Sequence, residues 1–585
     1  MLEYPSGNAN AEENDLYKSF DDRVNKFVEN LLKNYKPHKY DESKVIHDPV
    51  WGTTLFYPWE LQILDSPLLQ RLRNISQLGL AMFTYPSAHH TRFEHTLGVM
   101  SVVTKMVNHI NQKDRESVII SNDELYMLRL AALLHDVGHC FCSHLSESIY
   151  GKFKEFVKLK NSFRIFESAK EHEIFAYIII NCTSFRKFVT DQVQMFGKSF
   201  DDDKTQKMFS KIGYMIIGAM LPHEDGVQKC YLTQIINGQY DADKLDYLRR
   251  DSYTAGLALT YDIDRFLYKI KIEEQYKTKL RTHERHLVIP VTGVTAVEEM
   301  AFSQLMLASY IYQHQKVLAA DALVHDIVRA FTIHKKLSHP CDFLYFCDSD
   351  ILGVYNEYAD DDFKLKIAEK KFDAQSSITI GDIVKKIKNR DLPKRAFIIN
   401  TSTVKPKRNS YPKPYPASDI AQRLSKIEDL RKEIVNMSIE IANSSCLHDV
   451  AKFESVDYYD VHISIPNTSI AKDLSNALVL KHNKKFVKLS QIVRLSDWAD
   501  AFAWHKWNAY VFAKESILPI VSIASKIVFE RHGIEFNDDT IIFAGIKCSD
   551  KIIELIQKLK DHDEYPNDSG GSGDPPNGEL TLAGV

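Results

Sequence analysis

Four potential metal ligands lie far apart along this chain, and only a fold that brings distant segments together can use them as one site. They are His95, the adjacent pair His135 and Asp136, and Asp243. Two imidazoles and two carboxylates form a nitrogen and oxygen set that suits Mg, Mn, Fe, Zn or Ni, with coordination positions left for water and a phosphate oxygen. The pattern predicts a metal-dependent hydrolase acting on phosphate esters or anhydrides.

The segment before His135 indicates how the ligands reach the protein interior. Residues 127–134 are apolar almost throughout, which is typical of a helix buried in a bundle. Burying the following His-Asp pair without partners would cost on the order of several kcal/mol, and a metal removes that cost. The acids Asp241, Asp243 and Asp246 also suit the start of a helix, where carboxylates cap backbone N–H groups.

The distribution of patterns predicts a mainly α protein, with a helical core and a mixed α/β C-terminal domain. A chain of 585 residues is expected to divide, because single cores stop growing at roughly 250–300 residues. Helical spacing dominates from about residue 59 to 335, and strand-like runs become common only later. The predicted divisions are an N-terminal extension and helix (1–43), a core (44–335), a mixed α/β domain for assembly or regulation (336–560) and a disordered tail (561–585).

Individual segments give more local predictions. Helices are expected at residues 16–32 and, as one or two helices, at 294–331, and a short strand and turn at 44–52. Residues 1–13 are polar and expected to be disordered, and the Pro-rich stretch 405–416 is expected to form an extended loop. Later strands are predicted at residues 396–400, 461–465, 486–489 and 540–544.

Composition excludes several classes of protein. The chain has no apolar run near the roughly 20 residues that span a bilayer, and its N-terminus lacks a basic segment followed by an apolar one. We therefore expect a cytoplasmic protein with no membrane partner. The formal charge of −4 favours neither nucleic acid nor an anionic membrane as a partner. Eight scattered cysteines argue against a disulfide framework, and the close pair Cys140 and Cys142 is expected to be buried or tolerated thiols.

The order of the four ligands and their flanking residues resembles the HD-domain metal-dependent phosphohydrolases. Within that superfamily the chain is most similar to the deoxynucleoside triphosphate (dNTP) triphosphohydrolases, the group that includes the SAM- and HD-domain-containing enzyme of animals and bacterial dGTP triphosphohydrolases. No SAM domain is expected in front of the matching region. The matching stretches are residues 44–49, 65–73, 77–79, 92–95, 135–144, 241–251 and, more loosely, 312–314.

The resemblance implies roles for residues whose chemistry suits them. His95, His135, Asp136 and Asp243 would hold the metal, which readies a water for attack on the α-phosphorus and so releases a nucleoside and triphosphate. Histidines near the phosphates would be His139, His144 and His172. Among them, His144 would be the general acid for the 5′-oxygen, and Glu147 would orient it. His172 could equally be a residue of a helix surface.

The resemblance also implies a substrate pocket. Arg92 and Lys244 match the family's phosphate clamps, whereas Arg249 and Arg250 are expected to form structural ion pairs. The deoxyribose would be recognised through hydrogen bonds to its 3′-hydroxyl and exclusion of a 2′-hydroxyl, although packing alone could explain either tyrosine. The residues implied are Gln77, Leu78, Tyr247, Asp251 and Tyr312.

Regulation by a nucleotide is a further implication, together with a homo-oligomer, either a dimer or a tetramer. The positions that hold a guanine nucleotide effector in the family carry matching residues here, although residues 67–73 form an amphipathic helix whose polar residues could simply face solvent. The matching residues are Lys44, Asp65, Gln70 and Arg73. Four positions depart from the family pattern: Gln304 replaces an arginine, Ala308 a histidine, His47 an asparagine and Gln315 a lysine.

These departures keep other functions open. One alternative is an HD phosphohydrolase or phosphodiesterase acting on a guanosine alarmone, a cyclic nucleotide or single-stranded nucleic acid. Another is a nucleotide-sensing protein without catalysis, although such proteins commonly lose one ligand. Depletion of dNTPs in phage defence is a possible use of the first activity. The C-terminal domain could bind a protein partner.

Overall fold

The computed structural model describes residues 10–113, 119–193, 201–222, 226–259, 261–277, 282–352, 376, 378–405, 415–443, 455–470, 473–537, 555 and 557. Contacts divide the chain into two compact units. The first comprises Met1–Leu392, Pro416–Gln422 and Ser464–Asn508, and the second comprises Pro393–Tyr415, Arg423–Ile463 and Ala509–Val585. The predicted boundary near residue 335 therefore falls inside the first unit.

Helices make up most of the first unit, as the sequence predicts, and none of the described helices is long and apolar enough to cross a membrane. In chain order the α-helices are α1 (Ala11–Leu32), α2 (Pro58–Leu64), α3 (Pro67–Gln70), α4 (Arg92–Lys113), α5 (Asn122–Leu134), α6 (His144–Tyr150), α7 (Lys154–Ser162), α8 (Glu171–Asn181), α9 (Thr183–Gln192), α10 (Asp202–Ile216), α11 (Cys230–Ile236), α12 (Ala242–Thr254), α13 (Ile263–Lys269), α14 (Val294–Leu307), α15 (Gln315–His334), α16 (Asp348–Leu352), α17 (Ile380–Lys388), α18 (Ala417–Ser425), α19 (Leu430–Ala442), α20 (Leu495–Lys506) and α21 (Leu518–Arg531).

The predicted helix near the N-terminus is confirmed, but it begins earlier than expected. Residues 11–13, expected to be disordered, form the first turn of α1. Asn10 accepts a hydrogen bond from the backbone of Glu13, and the Glu13 side chain accepts one from the backbone of Asn10. This reciprocal capping satisfies two backbone groups that a helix start would otherwise leave free, so a polar segment is ordered.

Helix α5 is the predicted buried helix that carries the ligand pair. Ser121 and Glu124 cap its first turn reciprocally, and the run from Leu128 to Leu134 is buried. His135 is the residue that ends it. Because the helix is buried on nearly every side, its end delivers His135 and Asp136 into the interior of the first unit.

Helices α4 and α12 approach closely enough for their side chains to share one network. A side chain at Gly98 of α4 would place its Cβ 1.9 Å from Asp246 Oδ1 and 2.2 Å from Arg250 Nη2. Arg250 also lies 2.9 Å from Asp48 Oδ2, which confirms its expected role in structural ion pairs. Arg249 instead lies over the ring of Trp51, 5.0 Å from its centre.

Among the described residues, strands form two sheets and one hairpin, and three of the strands lie within residues 59–335, where helical patterns dominate the sequence. The strands are β1 (Lys44–Asp48), β2 (Gly52–Phe56), β3 (Val227–Gln228), β4 (Lys271–Lys277), β5 (Thr282–Pro290), β6 (Lys394–Ile399), β7 (Val461–Ser464), β8 (Leu478–Leu480), β9 (Phe486–Lys488) and β10 (Ala509–Ala513). β4 and β5 form an antiparallel pair, so the expectation of helices up to residue 335 was wrong there. The short apolar run of β5, residues 287–289, fits a helix or a strand by periodicity alone.

The first unit contains the β1 and β2 hairpin and a sheet in the order β3, β5, β8, β9, with β4 on β5. The hairpin confirms the predicted strand and turn, and Gly52 adopts the positive φ of 80° that the turn requires. The predicted strand at residues 486–489 is confirmed as β9. The segment 294–331 forms two helices, α14 and α15, also as predicted.

The second unit has a sheet in the order β6, β10, β7, with β10 antiparallel to β6. Every residue of β10 is buried, and α21 packs on β6 and on α19. The predicted strands at 396–400 and 461–465 are confirmed as β6 and β7. The predicted strand at 540–544, the tail from 561 and most of the loop 405–416 lie outside the described residues.

Arg129 holds α5 against its neighbours and provides a test of that anchoring. Its Nε and Nη2 each lie 2.6 Å from a Glu60 oxygen, and its Nη1 donates to Thr104 Oγ1 at 2.6 Å. Both charges are buried. Because Arg129→Met leaves the buried Glu60 carboxylate without its cationic partner, we expect the free energy of unfolding to fall by about 3–5 kcal/mol in chemical denaturation.

Lys207→Met is the matched control, since Lys207 forms an exposed ion pair with Asp203 on α10. Its free energy of unfolding should stay unchanged within the error of the measurement, because solvent screens an exposed ion pair. Equal small effects of the two substitutions would contradict a stabilising role for the Arg129 pair.

Candidate metal centre and its surroundings

Three of the four predicted ligands meet where α4, α5 and α12 converge. One donor atom from each of His95, His135 and Asp243 lies within 4.8 Å of the others. The two Nε2 atoms are 3.4 Å apart, and Asp243 Oδ1 lies 2.9 Å from His95 Nε2. Asp136 approaches the rings through different oxygens, with Oδ2 3.8 Å from His95 Nε2 and Oδ1 3.4 Å from His135 Nε2. The scattered set is thus gathered in one place.

The outer nitrogen of each imidazole has its own acceptor. His95 Nδ1 lies 2.7 Å from Asp246 Oδ2, and His135 Nδ1 lies 2.7 Å from Ala132 O. When both Nδ1 atoms donate, the two Nε2 lone pairs face each other beside the carboxylate of Asp243. This donor set fits a divalent cation, because metal-bound histidines usually donate their other N–H to a carboxylate or carbonyl.

The charge of the centre is visible in the pKa of His95. Burial lowers this pKa, but hydrogen bonds to Asp243 and Asp246 and their negative charges outweigh burial and raise it to about 10. Two carboxylates around one buried imidazole therefore attract positive charge, which a proton or a metal ion can provide.

Arg92 joins this centre to the predicted catalytic residues. Its Nη1 lies 3.1 Å from Asp136 Oδ2, and its Nε donates to Ser143 Oγ at 3.0 Å. Its Nη2 lies 3.3 Å from His144 Nε2. Arg92 is 4 % exposed, so the predicted phosphate clamp is a buried cation beside the proposed ligands.

The four predicted catalytic residues come together in one cluster, called here the histidine cluster: His139, His144, Glu147 and His172. Glu147 lies at its centre, with Oε2 2.8 Å from His144 Nδ1 and Oε1 2.6 Å from His172 Nδ1. The rings of His139 and His172 stack with centres 3.8 Å apart. His144 is exposed, whereas His139 and His172 are buried. A carboxylate thus holds two imidazoles, of which one faces solvent.

The pKa shifts in the histidine cluster follow from this arrangement. Burial raises the pKa of Glu147, but the charges of His144 and His172 outweigh burial and hold it well below its usual range. Burial lowers the pKa of His172, but the Glu147 charge outweighs burial and raises it. For His139, burial and the charges of Arg92 and His172 hold the pKa well below the usual range. Glu147 is therefore ionised and His139 neutral at pH 7.

Two of the predicted sugar-binding residues are joined by a hydrogen bond. The Tyr312 hydroxyl donates to Asp251 Oδ2 at 2.6 Å, and His90 Nε2 lies 2.9 Å from Asp251 Oδ1. The backbone N–H of Gln77 donates to His90 O, which places Gln77 and the adjacent Leu78 beside this group. The buried Gln77 Oε1 has no hydrogen-bond partner in the described part of the chain, so it is available to a ligand donor.

Gln304, one of the four departures from the family pattern, contacts Tyr247. Gln304 Nε2 donates to the Tyr247 hydroxyl at 3.2 Å, and within the described ranges the buried Gln304 Oε1 has no partner. Residues Ala308–Tyr312 form a π-helical turn between α14 and α15. The Tyr247 hydroxyl thus contacts an amide at the position where the family pattern has an arginine.

Lys244 has strong internal contacts. Its Nζ lies 2.8 Å from Gly238 O, 3.0 Å from Asp241 Oδ2 and 3.3 Å from Asp473 Oδ2. Burial lowers its pKa, but the charges of Asp241 and Asp473 outweigh burial and raise it. The side chain would have to leave these partners to contact a phosphate.

The four predicted effector residues fall into two contact pairs. The Lys44 ammonium lies 4.4 Å from the centre of the Tyr40 ring, and the Tyr40 hydroxyl donates to Asp65. Arg73 Nε donates to Gln70 Oε1 at 2.8 Å. Their role in binding a nucleotide stays a prediction.

Sequence reasoning missed two residues of the site. Asp246 was considered only as a helix cap, yet it accepts from His95, whereas Asp241 is the residue that caps α12. His90 was not singled out as a site residue from the sequence, although its ring contacts Asp251. The spacing of Asp246, one helical turn after Asp243, could have shown that both acids face the same side.

Comparisons with known proteins agree with this geometry. Residues 92–228 match the family model described as HD domain. The chain is 31% identical to the uncharacterized protein MJ1154 of Methanocaldococcus jannaschii over 48% of each chain. It is 24% identical to the deoxynucleoside triphosphate triphosphohydrolase SAMHD1 of Bos taurus over 76% of each chain. For the Homo sapiens SAMHD1 the identity is 28% over 49% of this chain and 44% of that protein.

The matches to MJ1154 and to the human protein thus span about half of each relative. The chain carries an HD domain and has dNTP triphosphohydrolases among its relatives, which supports a phosphohydrolase.

Asp246→Asn tests whether this carboxylate orients the proposed metal ligand. We expect the affinity for Mn²⁺, measured by calorimetric titration, to fall about 10–100-fold, because an outer partner of a metal-bound imidazole loses its charge. Asp48→Asn is the control, since Asp48 also pairs with Arg250 but does not contact His95. Equal losses in both variants would assign the effect to the Arg250 ion pairs instead.

Proposed function

We propose that this HD-domain protein is a dNTP triphosphohydrolase that converts a dNTP and water into a deoxynucleoside and triphosphate. The observation that carries the proposal is the meeting of the His95, His135 and Asp243 centre with Arg92 and the histidine cluster. Similarity to SAMHD1 proteins supports the same activity.

The proposed ligands His95, His135, Asp136 and Asp243 would hold a divalent ion, which supplies an activated water and positive charge for a phosphate oxygen. Arg92 adds a second positive charge that is already removed from water. A buried guanidinium interacts strongly with phosphate because the local dielectric is low and its donors are fixed. One arginine beside the centre thus provides local charge that the net charge of the chain does not.

His144 has the position expected of a general acid. It is exposed, its Nδ1 is held by Glu147, and its Nε2 faces the guanidinium of Arg92. A phosphate bound by Arg92 would lie next to this nitrogen, which could then pass a proton to the 5′-oxygen as the bond to phosphorus breaks.

The pocket for the sugar would be formed by Gln77, Tyr247, Asp251 and Tyr312, with Leu78 at its edge. The unpartnered Gln77 Oε1 and the Asp251 carboxylate are acceptors suited to a 3′-hydroxyl. A tyrosine ring beside the sugar leaves little space for a 2′-hydroxyl, which favours deoxynucleotides.

Nucleotide regulation fits the same proposal. Lys44, Asp65, Gln70 and Arg73 would bind the effector in an assembled dimer or tetramer. The Arg73 guanidinium lies 3.7 Å from the centre of the Phe93 ring, and Phe93 is the neighbour of Arg92 on α4. An effector bound at Arg73 would therefore act on Phe93, the residue next to the proposed phosphate clamp Arg92.

One observation favours a second candidate, an HD phosphohydrolase acting on a different nucleotide. Lys244 is held by Asp241 and Asp473, and Gln304 replaces an arginine of the family pattern. The pairing of Lys244 with two acids and the replacement at Gln304 both reduce the positive charge that the proposed pocket can offer to phosphates. A substrate with fewer phosphates, such as a cyclic nucleotide or a nucleic acid end, would need less of it.

A panel of dNTPs with Mg²⁺ or Mn²⁺, with and without a second nucleotide, tests the proposal. We expect deoxynucleoside and intact triphosphate in equal amounts by chromatography, because attack at the α-phosphorus leaves the three phosphates joined. The variant His135→Ala should lose this activity. Absence of turnover under all combinations would overturn the proposal, and release of a monophosphate would favour the second candidate.

Glu147→Gln tests the role of the histidine cluster through the pH dependence of the activity. The Glu147 charge raises the pKa of His172, so its removal lowers that pKa and the protonated cluster is lost at a lower pH. We expect kcat to fall about 10–100-fold. The alkaline limb of the plot of kcat against pH should move to lower pH. Glu171→Gln, an acid on α8 that pairs with Lys160, is the control and should change neither. An unchanged alkaline limb in Glu147→Gln would contradict a role of protonated His172 in the reaction.

A further inference from the structure

A second group of metal-binding side chains lies on β5 and α11. Cys230 begins α11, and Glu284 and His286 belong to β5. One donor atom from each lies within 4.8 Å of the other two. These residues belong neither to the proposed ligands around His95 nor to the histidine cluster.

The geometry of β5 explains why Glu284 and His286 lie together. Side chains alternate along a strand, so residues two positions apart point to the same face. Both are buried, and His286 Nε2 lies 2.9 Å from Glu284 Oε2. Helix α11 packs on β5, which brings Cys230 to this pair. A buried carboxylate beside an imidazole and a thiol is costly without strong partners.

The donors are a sulfur, a nitrogen and an oxygen, in contrast to the nitrogen and oxygen donors around His95. Thiolate and imidazole together favour zinc over magnesium or calcium, and three protein ligands leave a fourth tetrahedral position for water. We propose that Cys230, Glu284 and His286 bind zinc at a site that is separate from the His95 centre and joins α11 to β5.

Binding requires the loss of one proton, from the Cys230 thiol, and the movement of another between the two ring nitrogens of His286. Burial raises the pKa of the Cys230 thiol to about 11, so the thiol is protonated at pH 7 in the absence of the ion. The S–H bond breaks as the sulfur–zinc bond forms, and the proton passes to solvent. No electron is transferred. Zinc binding at this site is therefore stronger at higher pH.

The second proton concerns His286 and its neighbour Gln234. Gln234 Oε1 accepts from the backbone N–H of Leu287 at 2.8 Å, so its amide nitrogen faces His286 Nδ1 at 3.3 Å. An amide that donates to Nδ1 leaves the ring proton on Nε2, where it points at Glu284. Zinc on Nε2 moves the ring proton to Nδ1, and that N–H then needs an acceptor.

This tautomer change makes Gln234→Glu an informative variant. A carboxylate keeps one oxygen for Leu287 and turns the other to His286 Nδ1, so it stabilises the ring form that binds zinc. Lys277 Nζ lies 3.7 Å from Glu284 Oε2, and because the Lys277 side chain is 40% exposed it can turn outward when zinc binds. The variant should bind zinc more tightly, which a loss of folding cannot imitate.

Cobalt(II) substitution distinguishes this site from the His95 centre, because only a thiolate ligand gives an intense sulfur-to-cobalt absorption band in the near ultraviolet. We expect the band in the full chain and in His95→Ala, which loses the first site. Cys230→Ser should lose it, whereas Cys182→Ser, a buried cysteine elsewhere, should keep it. Gln234→Glu should reach half of the full band at a cobalt concentration about 10-fold lower.

Two results would overturn the proposal: no such band in the full chain, or a band that persists in Cys230→Ser. Because Cys230→Ser could fail to fold, its circular dichroism is compared with that of Cys182→Ser. If Cys230→Ser is misfolded, Gln234→Glu decides, and an unchanged cobalt affinity in that variant counts against the site. None of these readouts depends on nucleotide hydrolysis, so the zinc site and the proposed function stand or fall separately.

Discussion

The buried carboxylate of Asp246 is the interaction on which the rest of the site depends. It accepts from His95 Nδ1 and from Arg250, and Trp51 Nε1 lies 2.5 Å from its other oxygen. These contacts fix the ring of His95 and hold α4 against α12, where Gly98 leaves the space. The direction of one imidazole therefore follows from the packing of two helices. Without this carboxylate, His95 would keep its place in the sequence but not its orientation toward His135 and Asp243.

From Asp246 to the histidine cluster, positive and negative side chains alternate. Carboxylates surround His95, Arg92 follows beside Asp136, and Glu147 lies between the histidines of the cluster. Each buried charge has an opposite charge nearby, which lowers the cost of burial. The same alternation gives the pocket local positive charge at Arg92, although the whole chain is weakly negative. The site's electrostatics are thus set by pairs of neighbours and not by composition.

The sequence allows the ligands to be predicted, because their residue types, order and flanking segments carry chemical information by themselves. It also predicts α5, since a run of apolar residues has few alternatives to burial. What it cannot provide are contacts between distant segments: Lys244 looks free beside Asp243, yet Asp473 reaches it from far along the chain. The strands β4 and β5 were missed for a related reason, because their short apolar run fits a helix or a strand until its neighbours are known.

The π-helical turn Ala308–Tyr312 has a consequence for which changes in length the pocket can tolerate. A π-helical turn contains about one residue more than an α-helical turn, so it rotates the residue at its end by about 100° relative to a regular continuation of α14. Tyr312 stands at the end of that shift and donates to Asp251 from there. A deletion of a single residue in the turn would restore a regular helix and rotate the tyrosine away, even if every remaining side chain were kept. In this part of the chain, the contact with Asp251 depends on the number of residues as well as on the identity of Tyr312.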